Sequence, residues 1–263
     1  MAKEIPIWTN EPPLFDPALG QPYPALKPFL SGESGRGAVI VCAGGGYVIR
    51  ADREADPAAV SINRCGVNAF VLSYRLLPYR HPAMLLDAQR AIRFVRHKAA
   101  DWDLDPEHIG ILGFSAGGHL AALAATRFDA GDKDAADAAD RQSSRPDLFA
   151  SCYGVNNLAR ISRSFTASIA GKDEWTQEEF RDMDPLSNVS TETPPGFLWH
   201  TAADDRVSVR NALDMAAALT EHGVAYSLHV FPRGGHALGL AEDVPLAEDW
   251  PELLNRFLID FGF

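Results

Sequence analysis

A serine between two glycines, Ser115 in Gly113-Phe114-Ser115-Ala116-Gly117, is the residue of this chain best placed for nucleophilic chemistry. A nucleophile at a sharp turn from a strand into a helix needs a small residue two positions before it and two positions after it, because larger side chains would meet neighbouring backbone. A strand-like apolar run at residues 109–112 precedes this motif, and a helix-like stretch follows it. A serine that merely caps a helix is the alternative for an isolated match.

Three consecutive glycines, Gly44, Gly45 and Gly46, follow another apolar run at residues 39–42. Glycine backbone can direct N–H groups into a cavity without a side chain in the way, and acyl transfer needs such donors for its developing oxyanion. We expect Gly45, Gly46 and Ala116 to form this oxyanion hole. A phosphate-binding loop is the alternative, but the Lys-Ser/Thr pair of a P-loop and the glycine spacing of a dinucleotide site are both absent.

An acidic residue and a histidine follow the last two predicted strands, in the order that a nucleophile-elbow hydrolase requires after its serine. Asp204 and Asp205 are adjacent candidates for the acid, and a turn carboxylate or a helix N-cap is the alternative role for either. His236 lies on a glycine-bearing loop, and it alone of eight histidines has the position in the chain to accept the Ser115 proton. The sequence therefore predicts nucleophilic catalysis by a serine, a histidine and an aspartate.

Other histidines and aromatic residues near these motifs have two interpretations. His119 follows the candidate nucleophile by four residues, and we expect it to pack beneath the turn. His200, at the end of a predicted strand, either lines the acyl site or fills the end of the sheet. Tyr47, Trp175 and Trp199 are candidate substrate-binding residues that would stack on a sugar or feruloyl ring, although aromatic side chains of this size commonly belong to the core.

Strand-like and helix-like segments alternate along most of the chain. The predicted strands are residues 37–43, 68–74, 109–113, 148–153, 196–201 and 225–231, and the predicted helices are 54–65, 82–101, a helix beginning at or after Ser115, 208–222 and 246–261. Continuous apolar runs suit strands that are buried on both faces, as in a parallel sheet. Together with the serine motif, this alternation predicts an α/β-hydrolase fold, a central, mostly parallel sheet with helices on both faces and a small cap.

The 263 residues contain no Gly/Ser-rich or Pro-rich linker, so we expect a single domain over residues 1–263. Residues 1–36 are rich in proline and predict an extended N-terminal arm with short edge strands. Residues 129–147 are dominated by Ala, Asp and Ser and predict a solvated loop or short helix. Residues 155–195 are irregular, and we expect them to form the small cap over the site.

The charge and composition exclude several classes of partner. A net charge of −11 disfavours nucleic acid and anionic membrane surfaces. No secretory signal is visible at the N-terminus, and no apolar run is long enough to span a bilayer. Three scattered cysteines suit buried free thiols in a reducing compartment, so we expect a cytoplasmic protein, with a homo-oligomer left open.

Several motifs together resemble the bacterial acetyl esterases and acetylxylan esterases, a group related to hormone-sensitive-lipase-like enzymes and to a feruloyl/acetyl-xylan esterase subgroup. These motifs are Gly44-Gly-Gly-Tyr47, Tyr74-Arg-Leu-Leu-Pro78, Asp87-Ala-Gln-Arg-Ala91, Asp105-Pro106, Gly113-Phe-Ser-Ala-Gly-Gly-His119, Ser144-Arg-Pro-Asp147 and Thr193-Pro-Pro195. The resemblance covers nearly all of the chain after residue 35. It implies removal of acetyl or feruloyl groups from sugars by Ser115, His236 and an aspartate, and the Asp-x-x-Val arrangement of related hydrolases favours Asp204.

The chain departs from this family's pattern at two places. Ala43 stands where a histidine usually opens the oxyanion motif. After the strand at 148–153, an apolar Tyr-Pro-Val-Ile-like stretch is replaced by Tyr153-Gly-Val-Asn156-Asn157. Because this change falls near the expected acyl or sugar pocket, Asn156 is a further candidate for substrate binding.

The function that these observations predict is hydrolysis of short acyl esters, with acetylated xylo-oligosaccharides or similar small acylated sugars as the favoured substrates. This chemistry requires no metal and no organic cofactor. Two alternatives remain. The same machinery could serve an amidase or peptidase such as an arylformamidase, or the fold could belong to a non-enzymatic binder.

Overall fold

Eight strands of this computed structural model, which describes residues 3–263, form one mixed sheet in the order β1-β2-β4-β3-β5-β6-β7-β8. The strands are β1 Ile5–Pro6, β2 Ala25–Phe29, β3 Arg36–Cys42, β4 Asn68–Ser73, β5 Leu104–Phe114, β6 Leu148–Cys152, β7 Gly196–Thr201 and β8 Tyr226–Phe231. Strands β3 to β8 pair in parallel, whereas β1 and β2 pair antiparallel at one edge. The predicted, mostly parallel sheet is confirmed.

Helices cover both faces of the sheet. They are α1 Asp56–Asn63, α2 Ala83–Lys98, α3 Ala116–Thr126, α4 Arg163–Ala170, α5 Gln177–Met183, α6 Arg210–Glu221 and α7 Trp250–Asp260, with short 3-10 turns between them. The apolar side chains of α2, α3 and α6 join one buried cluster. Those of α1 and α7 join a second cluster on the other face, which confirms the predicted α/β-hydrolase architecture.

Strand β3 illustrates why the apolar runs are continuous. Ile40 belongs to the first core cluster, whereas Val39 and Val41 belong to the second. Successive side chains of a strand point to opposite faces, so a strand buried on both faces needs an apolar residue at every position. The same geometry brings the carboxyl ends of β3, β5, β7 and β8 to one edge, where the loops that carry the candidate site residues begin.

Most predicted elements are present, with different ends. The predicted helix at 54–65 is shorter, because residues Asp52–Glu54 form a 3-10 turn and α1 begins at Asp56. Strand β5 begins five residues before its apolar run, because Leu104 pairs with Arg36 of β3. Residues 129–147 contain no helix and no strand, as expected of a loop. The N-terminal arm contributes the last two strands at one side of the sheet, with β1 at the edge and β2 between β1 and β4. Residues 1 and 2 lie outside the described part of the chain.

The segment 155–195 is more regular than its sequence indicated. It contains α4 and α5, together with 3-10 turns at Leu158–Arg160 and Leu186–Asn188. The Ser162 side chain caps α4, and Thr176 and Glu179 form a reciprocal capping box at the start of α5. Short helices with such caps are stabilised locally even where little of their surface is buried.

Two further observations concern composition. Within residues 3–263, no helix combines the length and the apolar character that a bilayer crossing requires. The three cysteines carry free thiols, as predicted, with Cys42 and Cys152 buried and Cys65 partly exposed.

Candidate active site

Ser115 lies at a tight turn between β5 and α3. Its backbone has φ 52° and ψ −116°, a conformation that L residues rarely adopt and that exposes the side chain at the sheet edge. The two flanking glycines are required by close approach: a Cβ atom at Gly113 would lie 1.9 Å from the Gly117 carbonyl oxygen, and one at Gly117 would lie 2.1 Å from the Cys42 carbonyl oxygen. The spacing seen in the sequence therefore has a direct steric cause.

The structure brings Ser115, His236 and Asp204 into one chain of contacts. Ser115 Oγ lies 2.7 Å from His236 Nε2, and His236 Nδ1 lies 2.7 Å from Asp204 Oδ2. Because an ionised carboxylate only accepts hydrogen bonds, we assign the imidazole proton to Nδ1, which leaves Nε2 free to accept from the serine. These three residues come from the loops after β5, β8 and β7, which are far apart in sequence.

Asp204 is held as a buried carboxylate. Its Oδ1 accepts hydrogen bonds from the N–H groups of Arg206 and Val207, each at 2.9 Å, and its Oδ2 lies 3.2 Å from His200 Nε2. Burial opposes ionisation, but the hydrogen bonds from His200, His236 and these two amides outweigh it and hold the Asp204 pKa well below its usual range. Asp205 is exposed and makes no such contact.

His200 has a defined place beside this carboxylate. It is fully buried, and its Nε2–H donates to the Val207 carbonyl oxygen at 2.8 Å while also facing Asp204. Of the two roles that the sequence left open, filling the end of the sheet describes His200 better, and its imidazole also contacts the Asp204 carboxylate.

The glycine loop, Gly44 to Gly46, lies at the same cavity as the serine. Gly45 and Gly46 have φ of 125° and 64°, and both line the same cavity as Ser115. Within the described chain, the N–H groups of Gly45, Gly46 and Ala116 donate to no acceptor, whereas the Gly44 N–H donates to Glu54 Oε2 at 2.8 Å. The three expected donors are therefore available to a bound ligand.

A cavity of about 480 Å³ contains this group of residues. Its apolar wall is formed by Ile49, Val155, Ile161, Phe165 and Val207, and its polar lining includes Arg53, Glu54, Ser162 and Arg206. A larger cavity of about 620 Å³ lies on the other side of Ile49, but neither Ser115 nor His236 lines it. Any reaction at the serine therefore belongs to the smaller cavity.

The prediction that Trp199 and Tyr47 bind substrate is wrong, because both side chains are buried. Trp199 is fully buried in β7 and stacks on Trp250, with ring centroids 5.1 Å apart. Tyr47 is buried as well, and its hydroxyl lies 2.7 Å from His119 Nδ1. Each ring faces the protein interior because its strand or loop packs there, so neither lines the cavity of Ser115.

The other two candidates, Asn156 and Trp175, also lie away from the cavity. Asn156 is fully buried, and its Oδ1 accepts from the Ser151 hydroxyl at 2.8 Å. Trp175 packs against the Arg163 guanidinium, 5.0 Å from its ring centroid. The residues that do line the cavity from this part of the chain are Val155, Ile161, Ser162 and Phe165.

The sequence analysis also did not identify Glu54 as a residue of the cavity wall. Glu54 is only 1% exposed and lines the cavity. Its sole signal was an acidic residue at the beginning of an otherwise apolar helical pattern, which is ordinary at a helix start.

Among residues 3–263, no group of three or more His, Cys, Asp and Glu side chains is arranged to hold a metal ion.

Comparison with known proteins places this geometry in a family. The BD-FAE family model matches residues 30–219. A solved acetyl ester-xyloside bifunctional hydrolase from Caldicellulosiruptor lactoaceticus is 43% identical, with a TM-score of 0.95 over 100% of this chain and 97% of that one.

Two further relatives are longer proteins. Endo-1,4-beta-xylanase B of Butyrivibrio fibrisolvens is 35% identical over 79% of this chain and 33% of that protein. Acetylxylan esterase of Xylanibacter ruminicola is 29% identical over 87% of this chain and 45% of that protein. The chain thus spans between a third and a half of the length of these two relatives.

These matches confirm the resemblance to acetyl and acetylxylan esterases that the motifs indicated. The family model covers most of the chain, including the glycine loop and the serine turn, and the solved relative covers all of it. This chain belongs to the BD-FAE family.

Proposed function

We propose that this chain is a serine carboxylesterase that removes acetyl and other short acyl groups, feruloyl among the candidates, from sugars or xylo-oligosaccharides. The observation that carries the proposal is the pair of 2.7 Å contacts that join Ser115, His236 and Asp204. They lie at the same cavity as the glycine loop, Gly44 to Gly46, whose Gly45 and Gly46 N–H groups are free and which we call the oxyanion loop below. A serine activated by a base, with the base oriented by a carboxylate, is the arrangement that nucleophilic acyl transfer needs.

In the acylation step, Ser115 Oγ attacks the ester carbonyl carbon while His236 Nε2 accepts the hydroxyl proton. The carbonyl oxygen becomes an oxyanion, and the N–H groups of Gly45, Gly46 and Ala116 donate to it. Asp204 stabilises the imidazolium and holds the proton on Nδ1. His236 then donates the proton from Nε2 to the leaving alcohol oxygen, and the acyl group remains on Ser115.

In the deacylation step, a water molecule takes the place of the alcohol. His236 accepts a proton from this water as it attacks the acyl carbonyl, and the same N–H groups hold the second oxyanion. Collapse returns the proton to Ser115 Oγ and releases the carboxylic acid. Both steps use side chains and backbone of this chain alone.

The cavity supports small acyl esters of polar alcohols. Its apolar wall of Ile49, Val155 and Phe165 suits a short acyl chain. The guanidinium groups of Arg53 and Arg206 can donate hydrogen bonds to the hydroxyl oxygens of a sugar. Relatives named for acetylxylan and acetyl ester-xyloside hydrolysis support acetylated sugars as the substrate class.

Three further features belong to the proposal. All described strands join one sheet, which supports a single domain. Ile161, Ser162 and Phe165 of the segment 155–195 line the cavity, which supports a cap role for that segment. The three free thiols suit a reducing, cytoplasmic location.

Replacing the nucleophile tests the proposal. Ser115→Ala should abolish labelling by a fluorophosphonate probe and the acylation burst with a nitrophenyl acetate, with turnover lower by about 10⁵- to 10⁶-fold, the loss typical of a deleted triad nucleophile. Ser34→Ala, at an exposed serine outside the cavity, is the matched control and should behave as the parent. Full turnover by the Ser115 variant would exclude the mechanism.

A substrate panel separates the ester from the amide alternative. We expect acetate release from acetylated xylo-oligosaccharides to exceed cleavage of formamides and aminoacyl anilides in kcat/KM. Cleavage of formamides without release of acetate from any sugar would assign the chain to the amidase class instead.

A further inference from the structure

Glu54 is a buried carboxylate that contacts the loop of the candidate oxyanion donors. It ends the 3-10 turn Asp52–Glu54, and its Oε2 accepts the Gly44 N–H at 2.8 Å. A Cβ atom at Gly44 would lie 2.6 Å from this same oxygen. The carboxylate and the glycine backbone are therefore packed in direct contact, which consumes the Gly44 N–H. The N–H groups of Gly45 and Gly46, which line the cavity, have no acceptor among the described residues.

The other oxygen of Glu54 reaches the loop that carries His236. Glu54 Oε1 accepts from the Tyr153 hydroxyl at 2.8 Å, and this hydroxyl accepts the Gly239 N–H at 2.9 Å. The Tyr153 ring also meets the His236 imidazole edge-on, with centroids 5.2 Å apart. One hydrogen-bonded path thus runs from Gly44 through Glu54 and Tyr153 to Gly239.

A buried carboxylate is costly unless hydrogen bonds and opposite charges compensate the loss of hydration. Burial raises the pKa of Glu54, and hydrogen bonds from Tyr153 and Gly44 together with the charges of His236 and Arg53 oppose that rise. A hydrophobic residue of similar size would avoid the desolvation cost. The mechanism proposed above uses no group other than Asp204 to stabilise the imidazolium, although Glu54 lines the same cavity as His236.

We propose that Glu54 is a positioning residue of the acyl-transfer reaction, which joins the oxyanion loop to the histidine loop through Tyr153 and stabilises the His236 imidazolium by its charge. The inference rests on the proposed function, because the imidazolium exists only if His236 accepts the Ser115 proton. No proton passes to Glu54 in either step, so the balance of the reaction is unchanged.

Several titratable groups surround Glu54. Tyr74 directly after β4, Cys152 at the end of β6 and Tyr153 directly after β6 lie near Glu54 at the carboxyl end of the sheet, and burial raises the pKa of each. His236 faces it from the loop after β8, and Arg53 precedes it on its own turn. Of these groups, His236 and Arg53 are the ones that can carry positive charge beside the carboxylate.

Glu54→Gln removes the charge while keeping the shape of the side chain. We expect kcat for nitrophenyl acetate to fall by about 10- to 100-fold, less than the loss of an oxyanion donor itself, with KM changed little. The acidic limb of the pH profile of kcat/KM should move to lower pH, because the protonated imidazole loses a nearby negative charge. Tyr153→Phe should lower kcat without moving that limb, since it keeps the charge and breaks the link to Gly239.

Asp52→Asn is the matched control, because Asp52 is exposed on the same turn and lacks these contacts; it should leave kcat and the limb unchanged. Fluorophosphonate labelling of the parent enzyme tests the proposed function separately. A parent enzyme that is not labelled would refute the proposed function, not the role of Glu54. With a labelled parent, a Glu54→Gln enzyme that matches Asp52→Asn in both kcat and limb position overturns the inference. If Glu54→Gln does not fold, an unchanged kcat for Tyr153→Phe overturns it.

Discussion

At the scale of single residues, the position of one carboxylate decides which aspartate can act as the acid. Asp204 and Asp205 are neighbours of equal chemistry, but the turn after β7 points Asp204 inward, where two amides, His200 and His236 donate to it or face it. Asp205 points to solvent. The hydrogen bonds, and not the residue type, create the difference between them.

Replacing each aspartate by asparagine should separate them. Asp204→Asn keeps the shape but removes the charge and permits the wrong imidazole tautomer, so we expect kcat for nitrophenyl acetate to fall by about 10³- to 10⁴-fold. Asp205→Asn should stay within about twofold of the parent, as expected for an exposed site without contacts. Equal losses in the two variants would contradict the assignment.

At the scale of elements, a buried histidine ties three of them together. His119 on α3 accepts from the Tyr47 hydroxyl at 2.7 Å through Nδ1 and donates to the Met183 carbonyl oxygen at the end of α5 at 2.8 Å through Nε2. These two bonds require a neutral imidazole. Burial lowers the His119 pKa to about 4, against the opposing effect of the Met183 hydrogen bond.

This histidine should make stability depend on pH. The unfolded chain protonates His119 near pH 6.5, whereas the folded chain does so only near pH 4, so the free energy of unfolding falls as the pH drops between these values. The loss is on the order of 3 kcal/mol at most. Urea denaturation at pH 7 and at pH 4.5 measures the difference in the free energy of unfolding between the two pH values. His119→Gln should reduce this difference, whereas His97→Gln, at an exposed histidine, should not. An unchanged difference in the His119→Gln variant would refute the prediction.

At the scale of the whole molecule, one buried ion pair joins the N-terminal arm, the end of β4 and α2. Arg75 pairs with Asp87 through two nitrogens, at 2.8 and 2.9 Å, and both side chains are fully buried. The guanidinium also donates to the carbonyl oxygens of Pro13 and Ala83. A paired and fully hydrogen-bonded guanidinium is tolerated in the interior, but an unpaired one is not.

Removing one partner should therefore destabilise the fold strongly. Asp87→Ala leaves the Arg75 charge buried without its counterion, and we expect the free energy of unfolding to fall by about 3–5 kcal/mol. Glu252→Ala, which breaks the exposed pair with Arg256 on α7, should cost less than about 1 kcal/mol. Comparison of urea midpoints would measure both, and similar losses would argue against the role given to the buried pair.

The features of this protein that follow from local pattern can be predicted from the amino-acid sequence. Buried parallel strands need unbroken apolar runs, and the Ser115 turn needs glycines at two fixed positions, so both can be read along a few neighbouring residues. The order of Ser115, an aspartate and His236 along the chain was readable for the same reason. The family resemblance confirmed above rests on such short motifs.

Which side chains line the cavity depends on the packing of elements that are distant in sequence. Tyr47, Asn156, Trp175 and Trp199 are residue types that bind sugars, but none of the four lines the cavity of Ser115. Glu54, which no pattern singled out, lies in the wall because a 3-10 turn brings it back against Gly44. Direction and proximity across the sheet depend on residues distant in sequence, and these are the properties that a one-dimensional pattern does not contain.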